Sequence, residues 1–174
     1  MLEATRPYGA EVRPFTSAAI SFQRAQEPWQ LRGYWALRRQ IFCEETGLFA
    51  SQFGERDEHD RHALPIVALA HCAGDALDVV GVVRIYEREP GVWYGGRLGV
   101  NRDYRRRPRV GSGLIRTAVG SARARGCREF LATVLAENAS YFARQHFAPL
   151  APLTLQGREH VLMRAELAAF AEAA

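Results

Sequence analysis

Lysine is absent from this 174-residue chain, and all 23 of its basic residues are arginine. The chain therefore has no lysine side chain to be acetylated or ubiquitinated, and any anion site must be built from planar guanidinium forks rather than ammonium point charges. The GC-rich codons of arginine account for the bias as a whole, so arginines scattered along helix ends need no functional account. Cysteine is scarce. Cys43, Cys72 and Cys127 stand far apart without paired spacing, which excludes a disulfide framework or zinc knuckle and reads as three core thiols. No apolar run approaches the ~18 residues a membrane span needs. The opening Met-Leu-Glu-Ala-Thr-Arg-Pro lacks the basic-then-apolar pattern of a secretory signal, so no membrane partner and a cytoplasmic location are expected. Internal repeats, low-complexity linkers and composition breaks are also missing.

What remains is an ordinary globular composition, 48% hydrophobic and 24% charged with a net charge of +4. The length suits one domain that buries roughly 70% of its unfolded surface. Residues 1–17 hold two prolines and no sustained period, so a loose arm is expected there and a single domain over 18–174.

Residues 94–126 organise the chain. A strand ends near Val100, a loop follows with Arg105, Arg106, Arg107 and Arg109, and a helix opens at Gly111 and Gly113. Val110, Leu114, Ala118 and Ala122, spaced by four, form the apolar stripe of that helix, and Gly126 stops it. Free N–H groups at the helix start and guanidinium groups beside it make a site for a pyrophosphate-sized anion.

Around this centre the elements fall in order. Residues 18–25 suit a first strand. Glu27-Pro28 opens a helix with the stripe Trp29, Gly33, Leu37 and Ile41, which Gly47 closes. Residues 48–62 are polar and irregular. Runs at 64–71, 77–87 and 92–100, rich in β-branched and aromatic residues and separated by turn sequences, read as an antiparallel meander. A strand at 129–135, a short helix capped by Asn138 and ending near His146, and a hairpin of residues 153–155 and 160–164 turning at Gln156-Gly157 complete the pattern. The alanine-rich end from Ala165 reads as a helix or a frayed tail. Trp29, Tyr34, Trp35 and Phe42 read as core.

This order, with the arginine-glycine loop at its centre, resembles the GCN5-related N-acetyltransferase (GNAT) fold over nearly the whole chain. The resemblance implies an α/β architecture whose mixed sheet of six to seven strands splays between the fourth and fifth. The family's loop pattern Gln/Arg-x-x-Gly-x-Gly/Ala is matched imperfectly in two registers: one places Arg106 first, with Arg109 at the first glycine and Gly111 at the second, and the other places Pro108 first, with Gly111 and Gly113 as the glycines. Asn138, Tyr141-Phe142 and His146-Phe147 resemble the family's Asn-aromatic-Gly-Phe block. The run Ala36-Leu37-Arg38-Arg39-Gln40-Ile41-Phe42-Cys43-Glu44-Glu45-Thr46-Gly47, followed by the acidic residues 57–60, resembles the small bacterial acetyltransferases linked to nitrogen starvation.

The resemblance implies an N-acetyltransferase that moves an acetyl group from acetyl-CoA, as co-substrate, to the amine of a small acceptor. Such a reaction needs a base for the ammonium proton, N–H donors for the oxyanion and an acid for the departing thiolate. The implied cofactor contacts are Leu98, Gly99 and Val100 along the arm, then Arg105, Arg106, Arg107, Arg109, Val110, Gly111, Ser112 and Gly113 at the diphosphate, with Asn138 and Phe142. The Val100 amide is the implied oxyanion donor and Tyr141 the implied acid, with water, Tyr94 or Tyr104 in its place in the register where Phe142 faces the sulfur, while Glu45, Glu87, Asp60 and water are candidate bases. Asp60 also stands with Arg84 on the substrate side. Arg84 either recognises a carboxylate or pairs with a neighbouring acid. The His59, His62, Asp57 and Asp60 spacing is set aside as a metal set, because acetyl transfer needs no metal. A homodimer is common in the superfamily. The alternatives are a non-catalytic acyl-CoA-binding or assembly subunit, a basic nucleic-acid-binding module, and acyl-homoserine lactone synthesis.

Overall fold

The computed structural model describes residues 16–171. Its strands are β1 (Ile20–Arg24), β2 (Leu64–Cys72), β3 (Asp75–Glu89), β4 (Val92–Val100), β5 (Glu129–Leu135), β6 (Phe147–Leu155) and β7 (Arg158–Ala165). They form one sheet in the order β1-β2-β3-β4-β5-β7-β6, antiparallel throughout except for the parallel β4–β5 pair. Tight turns join the hairpins, with Ala73-Gly74 and Gln156-Gly157 both at positive φ, as two-residue hairpin loops require.

Both faces of the sheet are covered, so the middle of β2 is apolar without alternation: Ile66 to Ala70 are all at most 3% exposed. On one face lies α1 (Pro28–Arg39), whose Tyr34 and Leu37 pack with Val67, Leu69, Val79 and Val82. Gln30 Oε1 accepts from the Glu27 N–H and fixes its start. The helix continues as a π-helical turn, Gln40–Glu45, with Thr46 N–H donating to Ile41 C=O, and ends where Gly47 takes φ +59°. On the other face lies α3 (Val110–Arg123), and the predicted stripe Val110, Leu114, Ala118 and Ala122 is buried against β2 and β3. Phe22 of β1 presses its ring on Gly113, where a Cβ would clash.

Four sequence expectations change. The irregular 48–62 segment contains a short helix α2 (Gln52–Glu55) and a 3-10 turn, Glu58–Arg61, started by Asp57 accepting from His59 N–H. Cys72 is exposed at the hairpin end of β2 rather than in the core. Asn138 precedes α4 (Ala139–Ala143), but its side chain makes no capping bond. β6 begins at Phe147 in spite of Pro149 and Pro152, which the outermost strand tolerates because one of its edges needs no N–H donors. Of the expected N-terminal arm, residues 1–15 lie outside the described residues. Its inner end is anchored: Ser17 N–H donates to the Tyr104 hydroxyl and Ser17 Oγ bonds the His71 C=O. The alanine-rich end holds a 3-10 turn, Leu167–Ala169, and residues 172–174 lie outside the description.

Candidate active site

The parallel pairing of β4 with β5 spans only Val92–Gly95 against Glu129–Ala132. From Gly96 onward β4 stays with β3, while β5 stays with β7, and a V-shaped gap opens between them. A bulge helps part them. The β3–β4 register slips by one residue around Arg97, which sits at φ +55°. This left-handed conformation is rare for a residue with a long side chain. The gap belongs to a cleft of about 810 Å³, lined by β4 residues 94–100, the end of the first helix, the arginine loop, α3, β5, α4 and the last hairpin.

At one end of the cleft is the helix start. Gly113 N–H donates to Arg109 C=O, so the amides of Gly111 and Ser112 precede the helical ladder and face outward. Gly113 is held under Phe22 and its N–H is used internally, which favours the register beginning at Arg106 and ending at Gly111. The four arginines divide in two. Arg105 donates to Val100 C=O and pairs with Glu45, and Arg107 donates to Thr16 C=O and Oγ1. Arg106 and Arg109 are exposed, and their guanidinium groups hold no hydrogen bond or ion pair within the described residues.

The β4 edge supplies a donor. Asn101 N–H donates to Val80 C=O at 2.9 Å, so alternation along the antiparallel ladder turns the N–H and C=O of Val100 to the opposite edge, into the gap. The Val100 C=O meets Arg105 Nε there, at 2.9 Å. Leu98 and Gly99 line the same wall. Ile41 lies so close to Gly99 that a Cβ would approach it to 2.8 Å, which seats the end of the first helix on β4.

Tyr141 and Phe142 both line the cleft from α4, as does Asn138. The Tyr141 hydroxyl stands over Gly111, 2.6 Å from where a Cβ would be. Gly111 is therefore small to admit that hydroxyl. Burial raises the Tyr141 pKa, and Arg116 and Arg144 lower it by less, so its proton is retained at neutral pH.

The other end of the cleft rests on a buried ion cluster that sequence reading only partly anticipated. Arg38, fully buried, donates to Glu55 at 2.6 Å, to Asp60 at 2.7 Å and to the Tyr34 hydroxyl at 2.9 Å. Arg84 forks onto Asp57 and also reaches Asp60 at 2.9 Å. Arg97 donates to the Glu55 C=O and carboxylate. Three guanidinium groups thus meet three carboxylates, binding α1, α2, the 57–61 turn, β3 and the β4 bulge together. Burial alone would raise the Asp60 pKa, but hydrogen bonding and charge from Arg38 and the charge of Arg84 outweigh it and bring the carboxyl down to about 2. Asp57 is lowered by the same balance, with Arg84 dominant. Beside the cluster, Tyr86 stacks on His59 at 4.3 Å and on Tyr94 at 5.9 Å, forming an aromatic floor.

The candidate bases are not brought together. Glu45 is salt-bridged to Arg105, and although burial raises its pKa, hydrogen bonds from Arg105 and Gln40 leave it lowered. Glu87 accepts from Gly91 N–H at the paired end of β4. Asp60 lies inside the cluster. Sequence reading missed Glu55 and Arg97, whose partners lie 17 to 42 residues away. The available signal was the acidic segment following an arginine-bearing helix.

A model of the acetyltransferase (GNAT) family matches residues 19–147. Among solved structures, one from Lactobacillus plantarum is 20% identical, with a TM-score of 0.73 over 86% of this chain and 99% of its own. Escherichia coli ElaA is 18% identical, with a TM-score of 0.69 over 85% of this chain and all of its own (100%). An acyl-CoA N-acyltransferase from Pseudomonas aeruginosa is 18% identical, with a TM-score of 0.66 over 84% and 98%. At these identities the likeness shows a shared fold alone. No curated protein matches the chain.

Proposed function

The chain belongs to the acetyltransferase (GNAT) family, and on that premise we propose that it moves an acetyl group from acetyl-CoA to the amine of a small-molecule acceptor. One observation carries the reading. A single cleft joins outward amides beside the uncommitted Arg106 and Arg109 to a parted strand edge that turns the Val100 amide inward. The first suits a diphosphate, by dipole, N–H and guanidinium together. The second suits the oxygen of a thioester carbonyl as it gains charge.

The proposed chemistry balances simply. The neutral amine attacks the thioester carbon, forming the N–C bond and a tetrahedral oxyanion opposite the Val100 amide. Collapse breaks the C–S bond, and Tyr141 protonates the departing thiolate. The amine proton is assigned to water in the cleft, because Glu45 is committed to Arg105 and Glu87 to Gly91. Asn138, whose side chain makes no capping bond, is assigned to the pantetheine arm with Phe142. We also assign the chain to the nitrogen-starvation group. In support, Arg38 of the signature helix and Asp57 and Asp60 of the acidic segment belong to one ion cluster.

Two measurements test the reading. Acetyl-CoA at ~100 times its dissociation constant should stabilise the protein by roughly 2.7 kcal/mol in thermal denaturation. A thiol reagent should detect CoA release when amines are added. Thermal stabilisation without CoA release from any amine would favour a non-catalytic acyl-CoA-binding subunit.

A further inference from the structure

Arg84 is 4% exposed, and its Nε has no hydrogen-bond partner among the described residues. Its two terminal nitrogens are occupied. Nη1 reaches Asp57 Oδ1 at 2.7 Å and Asp60 Oδ2 at 2.9 Å, and Nη2 reaches Asp57 Oδ2. The side edge, where Nε–H and the second Nη2 hydrogen point the same way, is left buried with its Nε–H unpaired. Buried donors are nearly always paired, and an unpaired one is destabilising.

The register says from where that edge can be reached. Arg84 stands directly opposite Gly96, the first β4 residue past the β5 pairing and part of the cleft wall. A Cβ on Gly96 would lie 3.8 Å from Arg84 Nε. With no side chain there, the Nε edge borders the cleft across bare backbone. The charge lining the cleft points the same way. Arg84, Arg97, Arg105, Arg107, Arg158 and His160 line it, and Glu137 is the one acid among the described lining residues. The ion cluster itself is balanced, Arg105 is paired with Glu45 and Arg158 with Glu137, so Arg107, which hydrogen-bonds only Thr16, is the lining arginine that leaves the local sign positive. A planar carboxylate matches the two parallel N–H groups of a guanidinium edge, whereas a polyamine would meet like charge.

We propose that the acceptor carries a carboxylate as well as its amine, and that the carboxylate docks on the Nε edge of Arg84 across Gly96. The preferred acceptors are then amino acids or amino-acid-like amines. This rests on the acetyl-transfer reading above and names the acceptor class for the same cleft. Sites built to bond a polar group discriminate strongly against analogues that lack it, because their own buried groups are left unpaired.

The test uses matched acceptors with the full chain: an amino acid, its carboxamide and its decarboxylated amine, each assayed by CoA release. The amino acid should show at least a tenfold higher kcat/KM than either partner, expressed mainly in KM. Gly96→Ala adds a methyl group at ordinary contact distance, so the variant should fold with an unchanged Tm. It should also reduce the tenfold preference to less than threefold. Equal kcat/KM across a matched set, a preference for polyamines, or a preference that survives Gly96→Ala would each overturn the proposal while leaving acetyl transfer intact. If no amine releases CoA, acetyl transfer itself fails, and docking is then read by thermal shift in the presence of CoA. A shift with the amino acid and none with its decarboxylated amine supports the carboxylate site, and no shift with either ends it.

Discussion

Arg97 sits at φ +55° with its guanidinium spread over the Glu55 carbonyl and carboxylate. Nothing intrinsic to arginine favours that backbone region, so the bulge it makes in β4 is maintained from outside, by a residue 42 positions earlier. Glu55 is 1% exposed and also neutralises Arg38. Replacing Glu55 with Gln should lower stability by about 3 kcal/mol, since the buried Arg38 and the half-buried Arg97 both lose a charge partner. Chemical denaturation measures it, and a loss below ~0.5 kcal/mol would mean the cluster does not hold the bulge. At the opposite wall, Tyr141→Phe should lower kcat about a hundredfold with little change in acetyl-CoA affinity. Gly111→Ala should act in the same direction, because a methyl group there displaces the Tyr141 hydroxyl. A Tyr141→Phe variant with wild-type kcat would remove this residue from the proton step. Its pKa is raised by burial above the ordinary tyrosine value, so the rate that depends on its proton should be insensitive to pH through neutrality and be lost on the alkaline side only.

At the scale of elements, α3 illustrates how one helix serves two purposes. Its buried stripe fixes it on the sheet, while its first turn is left to the cleft by the early use of Gly113 N–H. Arg106 and Arg109 add charge at that turn without structural commitments of their own. Changing both to alanine should therefore leave Tm of the free protein within a degree or two and erase most of the stabilisation by acetyl-CoA. An unchanged acetyl-CoA response in the double variant would place the diphosphate elsewhere. Arg105 and Arg107 belong to another class, since they tie the loop to β4, to Glu45 and to Thr16. The run of arginines was legible in the sequence as an anion loop. Its division into two free and two bound side chains was not, because the partners at positions 16, 45 and 100 come together only when the elements pack.

For the molecule as a whole, the ion cluster joins five segments and makes stability depend on pH. Asp60 titrates near 2 in the folded protein against an ordinary value of 3.8, and Asp57 is shifted in the same direction. Because the folded pKa is the lower, the contribution is fully present above about pH 4. It fades as pH falls from there through about 2, where the unfolded chain has taken up protons first. For Asp60, 8% exposed at its side chain, this is on the order of 2 kcal/mol. Denaturation midpoints should hold steady from neutral pH to about 5 and then drop toward pH 2. A profile flat to pH 2 would mean these carboxylates gain nothing from their arginines.

The sequence by itself determined the order of strands and helices, the stripe of α3 and the location of the anion loop. Each of these is written in local periodicity, in turn residues and in the spacing of glycine and arginine along a few neighbouring positions. Tertiary structure alone decided that β4 bulges at an arginine, that Asn138 leaves its helix uncapped, and that Arg84 keeps one unpaired edge after both acids have bound it. Those outcomes depend on the meeting of groups far apart in the chain, at positions set by sheet register and packing, and a linear reading carries no record of which partners will meet.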